Sequence, residues 1–372
     1  RRQRQMCIRD RIRSDLGHTA MTTGGDPVTA PAVEPVDEAG EVTPRAAMIE
    51  PGEGDYHVVK VFYGTDRNAV EALGSDGRGY LGWFYLTALS AAVTLGLLMA
   101  AYRFSRRFAV VLLAGSGVLA TVGLGVVTTL ARLEEKAPGP RPTRNYGNER
   151  GELEMGICEV SIPKQHERGE VERPSVFRFE FNEDPEKHVV LLDVEEQPAD
   201  EFFAGLRARI DASGKREAFV FVHGFNFTFE EAAHRTAQLA FDLKFDGAPI
   251  FFSWPSQGGL LQYSIDETNV AWAVPHLKEF VTGIARNSGA EAVHLIAHSM
   301  GNRALTSALQ LLSYEMQNEP PLFREVVLTA PDIDADVFSR DIAPAIRSTA
   351  DRVTLYASSN DEALRLSKTI HG

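Results

Sequence analysis

Ala297-His298-Ser299-Met300-Gly301 closes the apolar run AVHLIA and precedes a stretch with helical periodicity from about Asn302. A serine on so sharp a strand-to-helix turn has its hydroxyl thrust above a sheet, where it can attack a carbonyl carbon. The residues two before and two after must be small, because strand and helix backbones crowd there. Gly301 meets that need, and Ala297 is a tolerable departure from glycine. Helix capping by Ser299 is the competing role. His223-Gly224-Phe225-Asn226 ends an earlier apolar run, AFVFV. In such a sheet the turn after that strand supplies one backbone N–H to a tetrahedral oxyanion, and the residue after the nucleophile supplies another. These donors are expected to be Phe225 or Asn226, and Met300. Gly224 gives the loop freedom to turn its amides inward. His223 is expected to be a structural imidazole bonded to backbone, with His298 in a supporting place inside the turn.

A histidine that takes the serine proton needs an acid to orient it, in the chain order serine, acid, histidine. Two carboxylates qualify. Asp361 follows the run RVTLYAS and is preferred; Asp332, in APDID, is the alternative, with Asp334 and Asp336 expected as surface or cap residues. Only eleven residues follow Asp361, among them His371. His371 is expected to point away from the Ser299 turn, so the chain is read as C-terminally incomplete and its base histidine as lying beyond it. His294 and His298, four apart, straddle a strand and its turn, so they are not read as zinc ligands. Neither a phosphate-cradling glycine loop nor a metal cluster is evident, and no cofactor is expected.

The elements that position these residues form a pattern. AFVFVHG, APIFFSWP, AVHLIAHS, EVVLTAP and RVTLYAS read as strands, separated by helical patterns near Glu230–Leu243, Glu267–Ala285 and Ala335–Ile346. MGICEVSIP, VFRFEF and HVVLLDV read as short leading strands. Strand, crossover and strand repeated in this way predict an α/β fold, a mostly parallel sheet with helices on both faces. Ligands of such sheets gather at the carboxyl ends of the strands, where the residues above sit. Pro255–Pro275 is read as a loop bordering an acyl pocket.

Two uncharged runs, Tyr80–Tyr102 and Phe108–Ala131, precede the wound sheet. Each is long enough to cross about 30 Å of hydrocarbon at ~1.5 Å per residue, and they are read as a transmembrane hairpin. Tyr80, Trp83 and Tyr102 lie near the run ends, as interfacial rings do. Arg103, Arg106 and Arg107 crowd the connector, which is expected to stay cytoplasmic and to leave both flanks on the opposite side. The domain reading is a disordered or extraneous segment over 1–55, a strand region of the catalytic domain over 56–79, and the hairpin over 80–131. A linker over 132–150 and the main domain over 151–372 complete it. Met21 and Met48 are alternative starts for the natural chain.

With 38 Lys and Arg against 51 Asp and Glu, the formal charge is −13, which argues against nucleic acid as a partner. The two cysteines, Cys7 and Cys158, cannot build a disulfide framework.

Taken together, VFYGTDRN (Val61–Asn68), GICEVSIP, FVHGFNFTFEEAAHR, FFSWPSQG, Tyr263, Asp266, LIAHSMGNRAL and APDIDADVF resemble a family of uncharacterised bacterial α/β-hydrolases. The resemblance runs from about Val58 to the end, interrupted by the hairpin. It implies a Ser299 nucleophile and an HGFN oxyanion loop. The expected function is a membrane-anchored serine hydrolase cleaving an ester, thioester or amide, on a small-molecule or lipid-like acyl substrate. The expected location is the bacterial inner membrane with the catalytic domain periplasmic. An acyltransferase on the same fold, or a non-catalytic membrane scaffold, are the alternatives.

Overall fold

The computed structural model describes residues 49–71, 142, 144–175, 180, 182–257, 262–317 and 319–356. The elements run β1 (Ile49–Pro51), β2 (Tyr56–Glu71), β3 (Arg144–Pro163), β4 (Val190–Glu196), α1 (Ala199–Ala212), β5 (Glu217–Val222), α2 (Phe229–Asp242), β6 (Ala248–Ser253), α3 (Tyr263–Asn287), β7 (Ala292–His298), α4 (Gly301–Glu315) and β8 (Phe323–Thr329). Three short helical turns, Ala335–Val337, Phe338–Ile342 and Ala343–Ile346, then lead to β9 (Ala350–Tyr356). The middle turn is π-helical, so the single helix expected there is broken.

Among the described residues all nine strands form one sheet, ordered β4-β3-β2-β6-β5-β7-β8-β9 with β1 beside β2. From β2 to β9 along that order every pairing is parallel. The other end of the sheet, β1 to β4, pairs antiparallel. Helices cover both faces because the strands alternate. On β5, Ala218, Val220 and Val222 face α1, α3 and α4, while Phe219 and Phe221 face α2. The mostly parallel sheet with two helical layers is the architecture expected from the sequence.

Three features depart from that expectation. β3 begins at Arg144, inside the segment read as linker, and pairs with β2 as far as Glu71. Its first half is too polar to read as a strand, yet pairing with β2 satisfies its backbone. The helix α1 was not expected; its Phe202, Leu206 and Ile210 recur at helical spacing and are buried. Residues from Tyr263 onward, read as loop, already belong to α3, which carries Pro275 in its interior. Among the described residues no helix is long and apolar enough to cross a membrane. The hairpin runs Tyr80–Tyr102 and Phe108–Ala131 lie outside the described residues, as do most of VFRFEF, Asp361 and His371.

The topology fixes where the loops meet. From β5 the chain moves to β6 on one side, whereas from β7 it moves to β8 on the other. That reversal opens a crevice at the carboxyl ends of β5 and β7. Val222 is level with Ala297 in the sheet, so the HGFN and AHSMG turns emerge side by side.

Candidate functional site

Ser299 stands between β7 and α4 with φ at 50°, in the left-handed region that a side chain seldom adopts. Its N–H donates to Thr329 O at 3.0 Å, across to β8. The buried Asn302 side chain donates to Ser299 O at 2.8 Å and to Thr329 O at 3.0 Å, and Thr329 Oγ1 donates to Ala297 O at 2.8 Å. Strain of this kind persists only where its surroundings hold it, and here Thr329 and Asn302 do so.

Two glycines let the turns touch. A Cβ on Gly224 would lie 2.9 Å from Ser299 Cβ, and one on Gly301 would lie 2.3 Å from His223 O. The HGFN loop is thus packed directly against the serine turn. Its exit is fixed by a capping box at the start of α2. Thr228 Oγ1 accepts from Glu231 N at 3.1 Å, and Glu231 Oε2 accepts from Thr228 N at 2.9 Å.

The amides divide into two groups. Asn226, at φ 62°, donates its N–H to Ser256 Oγ at 2.9 Å. A single N–H so committed is not available to an oxyanion, which corrects the expectation that Asn226 could serve. Ser256 lies after β6, a contact that no local pattern around Asn226 announces. Among the described residues neither Phe225 N nor Met300 N has a hydrogen-bond acceptor.

His223 is fully buried, stacked between Phe227 and Trp254. Its Nδ1 lies 2.8 Å from Gly224 O, and its Nε2 lies 3.2 Å from Ser253 Oγ. Ser253 Oγ accepts from Arg67 Nε at 2.8 Å, so its own proton is free for His223 Nε2. His223 is therefore the neutral Nδ1–H tautomer, and burial pushes its pKa well below the usual histidine value. With both nitrogens engaged it cannot receive a proton from Ser299. His298, exposed at the end of β7, touches the same loop: a Cβ on Gly224 would lie 3.0 Å from its Nδ1.

Asp332 is buried beside the serine turn, its N–H 3.4 Å from Ser299 O. Tyr263 Oη donates to its Oδ2 at 2.5 Å, and Arg303 Nη2 lies 3.1 Å from the same oxygen. Arg303 also donates from Nε to Asp332 O at 2.7 Å and from Nη1 to Glu267 at 2.6 Å. The Tyr263 ring packs edge-on against Phe225, 5.3 Å between centroids. Asp334 caps the turn that follows, accepting from the N–H groups of Asp336 and Val337.

A second set of residues supports the HGFN loop from behind. Arg67, fully buried in the second half of β2, donates from Nη2 to Phe227 O at 2.8 Å and from Nη1 to Ser256 O at 3.2 Å. Asp266 Oδ2 accepts from Ser256 Oγ at 2.6 Å, and Oδ1 accepts from Gln257 N at 2.8 Å. Arg67 and Asp266 both fall within the motifs that carry the resemblance, but their roles were not read from sequence. The available signal was an Asp-Arg pair, Asp66-Arg67, directly after the mostly apolar run VVKVFYGT.

The geometry thus unites a strained serine turn, a glycine-shaped neighbouring loop and two amides without acceptors at the switch point of a wound sheet. Residues 199–372 match the model of a family described as alpha/beta hydrolase of unknown function (DUF900). The match supports a hydrolase of the α/β class, and the sheet with helices on both faces fits that fold. It takes in both turns of the DUF900-like segment and leaves β1 to β4, with Arg67, outside it. No curated protein matches the chain.

Proposed function

We propose that the chain is a membrane-anchored serine hydrolase that cleaves an ester, thioester or amide through an acyl-enzyme on Ser299. The observation that carries this reading is Ser299 at φ 50° on the β7–α4 turn, with Gly224 of the HGFN loop against it. Backbone strain is retained where the surroundings enforce it, and a serine so held has its hydroxyl raised above the sheet edge.

In this reading Ser299 Oγ attacks the substrate carbonyl carbon while a histidine takes its proton. The tetrahedral oxyanion accepts N–H bonds from Phe225 and Met300. Collapse expels the leaving group, which receives the proton, and water then hydrolyses the acyl-serine by the same steps in reverse. Asp361 is the preferred acid, because Asp332 is already engaged by Tyr263 and Arg303. Phe225 and Tyr263, packed together beside the turn, form an aromatic wall suited to an acyl chain.

The membrane part rests on the two uncharged runs, and the Arg-rich connector Arg103–Arg107 supports an orientation with the catalytic domain outside the cytoplasm. Two crossings return the chain to the side on which it started, so β2 and β3 can pair across the insertion.

A panel of activated esters and thioesters of graded acyl length tests the activity. Turnover that is lost in Ser299→Ala supports the proposal. Turnover unchanged by that substitution would eliminate Ser299 as the nucleophile.

A further inference from the structure

Arg67 is a cation buried without a carboxylate in hydrogen-bonding reach among the described residues. Its five hydrogen bonds go to neutral oxygens: Phe227 O at 2.8 Å, Ser253 Oγ at 2.8 Å, Gly147 O at 3.0 Å, Asn148 Oδ1 at 3.2 Å and Ser256 O at 3.2 Å. Burial pulls its pKa down to about 9, which still leaves the guanidinium charged at neutral pH. Burying a cation is costly, and Arg67 uses it to gather backbone from three places: β3, the turn after β6 and the HGFN loop. Asp66, Asp266 and Glu231 offset the charge from farther away.

The bonds converge on one short stretch. Phe227 O is held by Arg67, and Asn226 N is held by Ser256, whose hydroxyl is in turn held by Asp266. Arg67 also grips Ser256 by its carbonyl, so both anchors of the loop pass through the same guanidinium. Its Nε bond to Ser253 sets the tautomer of His223, the residue that leads into Gly224. With Asn226 N and Phe227 O both fixed on the inner side, the backbone of Phe225 just before them is held in one orientation, its N–H without an acceptor among the described residues.

We infer that Arg67 is a positioning residue of the oxyanion hole, acting through Phe227 O and Ser256 to hold Phe225 N–H in place. The inference rests on the proposed Ser299 chemistry. It makes the strand pair β2–β3 part of the working site although both strands lie outside residues 199–372, the segment matched to the family. A guanidinium is required because its planar fork reaches several acceptors at once, which a single ammonium cannot do.

The test uses the full chain and the variants Arg67→Lys and Ser256→Ala, the second guarding against a first that fails to fold. The readouts are the rate of fluorophosphonate labelling at Ser299, kcat and KM on an activated ester, and hydrogen exchange of the Gly224–Thr228 amides. An oxyanion donor displaced by about 1 Å costs on the order of 100-fold in rate, so each variant should label at least about tenfold slower. KM should change little, and exchange should quicken in the loop while β5 stays protected. Ser256→Thr, which keeps the hydroxyl, should recover most of the Ser256→Ala loss. Wild type that labels at Ser299, with folded variants that label equally fast, would overturn this inference alone. Wild type that does not label at all would overturn the Ser299 reading itself, and this inference with it.

Discussion

Gly301 lies so close under His223 that a Cβ on the glycine would stand 2.3 Å from the histidine carbonyl oxygen and 2.7 Å from Val222 O. Both obstacles are backbone, Val222 at the end of the central strand β5 and His223 directly after it, so neither can swing aside as a side chain could. Gly301→Ala should therefore destabilise the protein by about 1–3 kcal/mol, the usual range for overpacking, and shift the denaturant midpoint accordingly. Gly205, inside α1, makes the contrast, since a Cβ there would meet only Phe62 Cε1 at 3.9 Å. Gly205→Ala should raise stability by about 0.5–1 kcal/mol through helix propensity.

The left-handed backbone of Ser299 predicts an inverse relation between stability and chemistry. Glycine adopts that conformation without the Cβ clash, which for other residues costs roughly 1–2 kcal/mol. Ser299→Gly should be more stable than wild type by about 1 kcal/mol, whereas Ser299→Ala should be nearly neutral. Paired urea denaturation curves of the three proteins check this. A destabilised Ser299→Gly would mean that the turn carries no strain.

Asp66 and His276 predict a pH dependence of stability. Asp66 is fully buried, and its Oδ1 has no hydrogen-bond partner among the described residues. Its Oδ2 lies 3.2 Å from His276 Nδ1 on α3. The hydrogen bond to Asp66 raises the His276 pKa, and burial raises that of Asp66. A histidine that binds its proton more tightly when folded stabilises the fold fully below its unfolded pKa of about 6.5, and loses that contribution as pH rises through the raised value. The melting-temperature gap between wild type and His276→Asn should thus be widest below about pH 6.5 and narrow as the pH rises above it. A gap that widens with pH would contradict the pairing.

The sequence made some of these features legible and hid others for physical reasons. AHSMG and HGFN announced themselves because their chemistry is local: a small residue, a strained turn and a following helix lie within a few positions. The central strands were legible because strands buried on both faces read as unbroken apolar runs. β3 was legible only from Met155 to Pro163, since its earlier residues are polar and are held by pairing with β2. The anchors of the HGFN loop were hidden by distance. Arg67 and Phe227 are 160 positions apart, and Asn226 and Ser256 are 30 apart, so no spacing rule joins them. The commitment of the Asn226 amide to Ser256 follows from that same contact, and only the folded chain reveals it.

The central claim is that Ser299 is an activated nucleophile, and covalent labelling with a fluorophosphonate reads it most directly. The full chain, in detergent or membranes, is incubated with the probe, digested, and the modified peptide identified by mass spectrometry. One adduct is expected, on the peptide carrying Ala297–Gly301 and localised to Ser299, absent from Ser299→Ala. Labelling of equal extent in Ser299→Ala, or an adduct mapped to another residue, would contradict it.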